Sequence, residues 1–283
     1  MEKDEITEKI ITRTVNACGV ETEYFCFGEG EKSLVVIPGL SVRGVTEQAD
    51  AIARAYRELA EAFSVYVFDR RRDMPDVYTL DDMAKDTAEA IRAAGLGRVF
   101  VFGASQGGMI AVKIAADFPE LVEKLAVGSS AARITRERFR TVERWIKLAE
   151  KKDAEKLYLD FGEAIYPKEV FEKAREFLTE SAKEAGEHDL RRFIIAARAL
   201  KDADVTRELG RISCPVFSIG DTDDRVLGAK AAEEIGTYVG AGCRFESYMY
   251  RGFGHASYDT APDYKRRLLR FFASEGDARN TER

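Results

Sequence analysis

A chain of 283 residues with 45% hydrophobic and 33% charged content holds enough apolar material for one large α/β core, or a core carrying an insertion. A net charge of −6 offers no basic field to draw nucleic acid or an anionic membrane, and no apolar run approaches the roughly 18 residues a spanning helix needs. The opening residues Met1-Glu2-Lys3-Asp4-Glu5 carry charge in place of an apolar signal segment, and Cys18, Cys26, Cys214 and Cys243 lack metal-ligand spacing, so the expectation is a cytoplasmic protein with free thiols, the pair Cys18 and Cys26 being the only one a hairpin would bring face to face.

In chain order, 10–17 and 22–27 read as two strands joined at Cys18-Gly19, and 34–37 as a short buried strand ending in Pro38-Gly39-Leu40-Ser41. A helix over 47–63 leads to a strand at 65–68, which ends in Asp69-Arg70-Arg71-Arg72. Thr79 with Asp82 three residues on has the pattern of a capping box. The helix behind it sets Leu80, Met83, Ala84, Thr87, Ala88 and Ile91 on one face, until Gly95 and Gly97 stop it. Val99-Phe100-Val101-Phe102 reads as a fully buried strand, 109–116 as a helix and 121–127 as the next strand. Near-continuous apolar strands alternating with helices indicate a parallel sheet covered on both faces, with the first hairpin adding antiparallel strands at one edge.

At Ser129 the alternation breaks. From about 133 to 209 the pattern is helical: Val142, Trp145, Ile146 and Ala149 form one stripe, Val170, Phe171, Ala174, Phe177 and Leu178 a second, and 190–200 a third. The chain thus divides into a first α/β part (1–130), a helical insertion (131–210) and a second α/β part (211–283). Both connections of the insertion leave from C-terminal strand ends, so it should lie over them. The sheet resumes at 215–219, followed by a helix near 228–238, a strand at 245–250 and a last helix with Tyr264, Leu268, Phe271 and Phe272 on one face; the tail from Glu275 is polar.

Between the strand at 99–102 and its helix stands Gly103-Ala104-Ser105-Gln106-Gly107-Gly108. A serine on a sharp strand-to-helix turn, with glycines two residues to either side, is the pattern of a nucleophile elbow. Neither glycine-rich phosphate-binding pattern is present. A serine hydroxyl is a poor nucleophile at neutral pH and needs a base. Of the two histidines, His188 sits among charges on what reads as a solvated helix face, whereas His255 lies in Gly252-Phe253-Gly254-His255-Ala256, after the last strand and free to reach back over the sheet. An acid to orient the imidazole is expected between the two in sequence. Gly220-Asp221-Thr222-Asp223-Asp224-Arg225-Val226 supplies three candidates. Oxyanion donors are expected from the backbone N–H of Gln106, next to the nucleophile, and of Leu40, after the third strand.

Through Pro38-Gly39-Leu40, Gly103 to Gly108, the aspartate cluster and His255, the chain resembles the α/β-hydrolase superfamily over nearly its whole core. That resemblance implies the α/β-hydrolase fold: a mostly parallel eight-stranded sheet with helices on both faces and an inserted helical cap. It implies a serine hydrolase with no metal and no organic cofactor, and it favours Asp224 over Asp223 as the acid, because Asp-Arg-Val resembles the usual continuation. Pro38, where many members have histidine, and Asp69 to Pro75, where many have a glycine-containing loop, depart from the pattern near the mouth of the site.

The leading expectation is hydrolysis of a carboxylic ester with a small or medium acyl group. Amide, peptide, thioester or carbon–carbon cleavage on the same three residues is the alternative, and a non-catalytic ligand-binding homologue is a third reading. The expected partner is the small-molecule acyl substrate, with a homodimer left open. The insertion's aromatics (Trp145, Tyr158, Phe161, Tyr166, Phe171, Phe177, Phe193) either pack its helices together or line an acyl pocket. The Asp69 to Arg72 turn either binds a substrate carboxylate or is paired with acids such as Asp73 and Asp76.

Overall fold

The computed structural model describes residues 10–274; the charged opening segment and the polar tail, each the subject of an expectation above, lie outside the described residues. Eight strands form one sheet: β1 (Ile11–Ala17), β2 (Val20–Phe27), β3 (Lys32–Ile37), β4 (Phe63–Phe68), β5 (Val99–Ala104), β6 (Val122–Gly128), β7 (Val216–Asp221) and β8 (Phe245–Tyr250). Their spatial order is β1-β2-β4-β3-β5-β6-β7-β8. β1 pairs antiparallel with β2 and β2 antiparallel with β4, while every pairing from β4 to β8 is parallel. The helices are α1 (Ala49–Ala55), α2 (Arg57–Ala60), α3 (Leu80–Ala93), α4 (Gln106–Asp117), α5 (Arg136–Glu150), α6 (Ala154–Ile165), α7 (Lys168–Glu184), α8 (Glu187–Arg198), α9 (Thr206–Leu209), α10 (Ala231–Glu234), α11 (Ser257–Thr260) and α12 (Tyr264–Ala273).

The period-2 alternation of the strands divides the core into two layers. Val35, Ile37, Val101 and Val127 face α3 and α4, while Leu34, Val36, Phe100 and Phe102 face α1, α2 and α12. On the second side Phe100 stacks on Phe272 at 5.3 Å between ring centroids and meets Phe63 edge-on at 5.5 Å, arrangements favoured by the aromatic quadrupole. Helices α5 to α9 all lie between β6 and β7, where the sequence showed its helical stripes. Among the described residues no helix is long and apolar enough to cross a membrane.

Several elements differ from the sequence pattern. The helix expected over 47–63 is broken at Tyr56 into α1 and α2, and its last residue joins β4, because Phe63 is buried and pairs with Lys32. Near 228–238 only α10 and one tight turn form, after Gly228 at φ +89° and with Gly236 pressed against the Phe245 ring. Phe177 lies on the predicted stripe but is 72% exposed. Cys26 pairs with Ile11 in the hairpin register, so it does not face Cys18, and all four cysteines are free thiols.

The capping box forms as expected. The Thr79 hydroxyl accepts from the Asp82 N–H at 3.2 Å, and the Asp82 carboxylate accepts from the Thr79 N–H at 3.0 Å. Substituting Thr79 by Ala should lower stability by about 1 kcal/mol, read as a shifted urea midpoint with an unchanged slope.

Candidate active site

Parallel register brings distant parts of the chain to one edge of the sheet. Ile37 pairs with Gly103, Ala104 with Gly128, Gly128 with Ile219 and Asp221 with Tyr250. The loops that follow these residues therefore emerge side by side, as expected for a site outside the carboxyl ends of parallel strands. They carry Pro38 to Leu40, Ser105, Asp224 and His255.

The turn at Ser105 is strained. Its φ is 51° and ψ −119°, a conformation L-residues rarely adopt. Three hydrogen bonds hold it: the Ser105 N–H donates to the Gly128 carbonyl at 2.8 Å, and its own carbonyl accepts from the Ser130 hydroxyl at 2.8 Å and the Gly108 N–H at 2.9 Å. The flanking glycines answer to backbone, not to conformation. A Cβ at Gly103 would lie 2.3 Å from the Gly107 oxygen, and one at Gly107 would lie 2.1 Å from the Ile37 oxygen and 2.5 Å from the Pro38 oxygen. α4 thus begins directly against the end of β3, and the Gln106 N–H, the first of that helix, has no intrahelical acceptor.

His255 is buried and lies within reach of both expected partners. Its Nε2 is 2.9 Å from Ser105 Oγ and its Nδ1 2.8 Å from Asp224 Oδ2. A carboxylate only accepts, so Nδ1 carries a proton and donates to Asp224, which leaves Nε2 to accept from the serine hydroxyl. Burial alone would raise the Asp224 carboxyl. The adjacent imidazole and the N–H groups of Leu227 and Val226 outweigh it and hold the group below the ordinary aspartate value. Asp223 is exposed and turned away, its N–H donating to Asp221 at 2.7 Å. Asp221 is a brace: Oδ1 takes that bond and Oδ2 accepts from the Phe253 N–H at 2.9 Å, fastening the aspartate loop to the histidine loop. His188 is exposed on α8.

Residues 39–169 match the family model for the alpha/beta hydrolase fold. Among curated proteins, RutD of Enterobacter cloacae, named for carbamate hydrolysis as an inferred activity, is 27% identical over 223 residues, covering 75% of this chain and 81% of that protein. The human serine hydrolase BPHL is 25% identical over 238 residues, covering 78% of this chain and 73% of that protein. Among solved structures, MGS-M2, an alpha/beta hydrolase enzyme from a Medee basin deep-sea metagenome library, superposes with a TM-score of 0.82 at 18% identity, over 93% of this chain and 98% of that one. The chain has the α/β-hydrolase fold. With its named relatives, it is a hydrolase.

A narrow apolar pocket opens above Ser105. Gly39, Leu40 and His255 line it from the sheet side, Trp145 and Phe161 from inserted helices α5 and α6, and Leu200 from the turn after α8. Two of the seven aromatics singled out in the sequence therefore reach the pocket, their rings 4.5 Å apart. Of the others, Phe193 packs edge-on against Phe161 at 6.4 Å, and Phe171 is buried beneath Gly162.

Arg70 has a role the sequence did not suggest. It is buried, not solvated, and its Nη2 donates to the Pro38 carbonyl at 2.7 Å, fixing the loop that carries Gly39 and Leu40. Nor are Asp73 and Asp76 the partners of this turn: Arg71 pairs with Asp86 at 3.5 Å, Arg72 with Glu23 at 3.7 Å, and Asp76 is met by Arg191 of α8 at 2.7 Å. The Gln106 side chain, also buried, donates to the Ala196 carbonyl of α8 at 2.6 Å, linking the elbow to the inserted helices. Neither contact had a local signal, because both partners are remote in sequence.

The close approach of Gly107 to β3 makes a direct test. Replacing Gly107 by Ala sets a methyl group against two backbone oxygens that cannot yield without moving strand and loop. The expected loss is about 3 kcal/mol, measured by urea unfolding.

Proposed function

We propose that the chain is a serine hydrolase of carboxylic esters, acting on a small or medium acyl group through an acyl-enzyme on Ser105. One observation carries the reading: a continuous relay from Ser105 Oγ through His255 to Asp224, at 2.9 and 2.8 Å, beneath a pocket of apolar side chains. The relationship to a named serine hydrolase supports the choice of nucleophile.

In this reading His255 Nε2 takes the hydroxyl proton as Ser105 attacks the ester carbonyl, and Asp224 offsets the charge that appears on the imidazole. The N–H groups of Leu40 and Gln106 receive the oxyanion, a contribution of about 100- to 1000-fold in turnover for each donor. The imidazolium then gives its proton to the leaving alcohol. Water, with His255 again as base, releases the acid and restores the serine. No metal or organic cofactor enters the scheme. Helices α5 to α9 act as a cap whose Trp145 and Phe161 exclude water from the acyl group. The narrowness of the pocket favours a short acyl chain, and the cytoplasm is the proposed compartment.

Two measurements test this. A fluorophosphonate probe should label Ser105, located by peptide mass; a folded protein that stays unlabelled at Ser105 supports the ligand-binding reading instead. A panel of p-nitrophenyl esters of graded chain length should give the highest kcat/KM at short acyl chains. Faster turnover of matched thioester or amide analogues would overturn the ester assignment while leaving the nucleophile in place.

A further inference from the structure

The end of β6 grips the backbone of Ser105 at both its N–H and its carbonyl. The Gly128 carbonyl accepts from the Ser105 N–H at 2.8 Å, and the buried Ser130 hydroxyl donates to the Ser105 carbonyl at 2.8 Å. Between them Ser129 stands at φ 46°, a left-handed conformation unusual for a residue with a side chain, and its N–H donates to the Ile219 carbonyl at 2.7 Å. That turn brings Ser130 back to the elbow. Gly108 admits it: a Cβ there would lie 2.6 Å from both Cβ and Oγ of Ser130. This accounts for the one glycine of 103–108 that the elbow spacing leaves unexplained.

The carbonyl that Ser130 holds belongs to the same peptide group as the Gln106 N–H. A trans peptide is planar, so its C=O and N–H point in opposite directions and turn together. Fixing the direction of the Ser105 oxygen therefore fixes the direction of the Gln106 N–H. A donor on that oxygen also polarises the amide and strengthens the hydrogen bond its N–H gives. The Gly108 N–H reaches the same oxygen at 2.9 Å, but it sits in the first turn of α4 and moves with it, whereas Ser130 stands on the end of β6. We propose that Ser130 is a positioning residue for the oxyanion hole: its hydroxyl aims and polarises the Ser105–Gln106 peptide so that the Gln106 N–H meets the developing charge. This rests on the ester-hydrolase reading, in which that N–H receives the oxyanion, and deepens it. Ser130 does not line the acyl pocket, so its effect passes through the peptide.

Ser130→Ala should lower kcat on p-nitrophenyl butyrate by about 10-fold, a part of the roughly 100- to 1000-fold that a whole donor supplies, with KM within about two-fold of wild type. Affinity for a short-chain trifluoromethyl ketone, whose adduct on Ser105 carries the oxyanion, should fall by the same factor as kcat/KM. The pH midpoint of kcat/KM should stay in place, because the pair of His255 and Asp224 is untouched. Ser130→Thr, which keeps the hydroxyl, should recover most of the lost rate. If the alanine variant shows no cooperative melt, Ser130→Cys, similar in size but a weak donor, takes its place. An unchanged kcat, a ketone affinity that does not follow kcat/KM, a shifted pH midpoint, or a threonine variant that melts like wild type yet is as slow as alanine overturns the proposal. The ester-hydrolase reading fails separately, if the unaltered enzyme hydrolyses none of the p-nitrophenyl esters. Fluorophosphonate labelling of Ser105 then decides, since its phosphoryl oxygen draws on the same donors: Ser130→Ala should label about 10-fold more slowly, and an equal rate overturns the proposal.

Discussion

Replacing Ser105 by Ala should reduce kcat on a chromogenic ester by about a million-fold, the size of the loss when a serine nucleophile is removed from a convergent triad. The residual rate, about a thousand-fold or more above water, would come from the oxyanion donors and from binding alone. The fold should survive. Among the described residues the hydroxyl's one hydrogen bond is to His255 at 2.9 Å, whereas the strained backbone is held by its own N–H and carbonyl, which alanine retains. The stability change should therefore stay within about 1 kcal/mol. Because hydroxyl and imidazole act as one unit, Ser105→Ala combined with His255→Ala should be no slower than either alone. Wild-type-like turnover in Ser105→Ala, measured after active-site titration to exclude contaminating enzyme, would remove Ser105 from the chemistry.

What the sequence made legible follows from where the constraints lie. The elbow was readable because its requirements are backbone contacts: Gly103 and Gly107 each face a carbonyl oxygen closer than any Cβ tolerates, so the spacing itself encodes the geometry. The strands were readable because their alternation divides between two apolar layers, so nearly every position is apolar. His255 stood out by scarcity and by its place after the last strand. Choosing among the three aspartates was harder, since all three lie within one turn and differ only in direction. Asp221 points down to fasten the loop, Asp223 faces outward, and Asp224 turns toward the imidazole. Least legible were contacts between segments remote in sequence. Arg70 reads as one of three exposed arginines, yet it is buried against Pro38. Phe177 and Phe171 share one predicted stripe, but α7 covers only part of it, leaving Phe177 outside. Stripe and spacing report what a residue would prefer, while burial depends on which neighbour arrives.

Substituting Asp224 by Asn should lower kcat by about ten-thousand-fold, the loss seen when the equivalent aspartate of a serine protease is changed in this way. The local hydrogen bonds give the reason. Asp224 Oδ1 accepts from the N–H groups of Val226 and Leu227 at 2.8 and 2.9 Å, so an asparagine must turn its carbonyl toward those donors. Its amide N–H₂ then faces His255 Nδ1, which can only accept from it. The imidazole proton moves to Nε2, the nitrogen that must receive the proton of Ser105. The site keeps its shape and loses its base. A pH signature accompanies this. The Asp224 carboxyl is held below its ordinary value in the fold, so its contribution to stability is fully present above the unfolded value of about 3.9 and is lost as pH falls through the lower folded one. The substituted amide does not titrate, so the stability gap between wild type and the Asp224→Asn variant should narrow as pH falls from about 7 toward about 2. Unfolding at a series of acid pH values measures it, and a gap that stays constant would mean that Asp224 is not stabilised as a carboxylate beside His255.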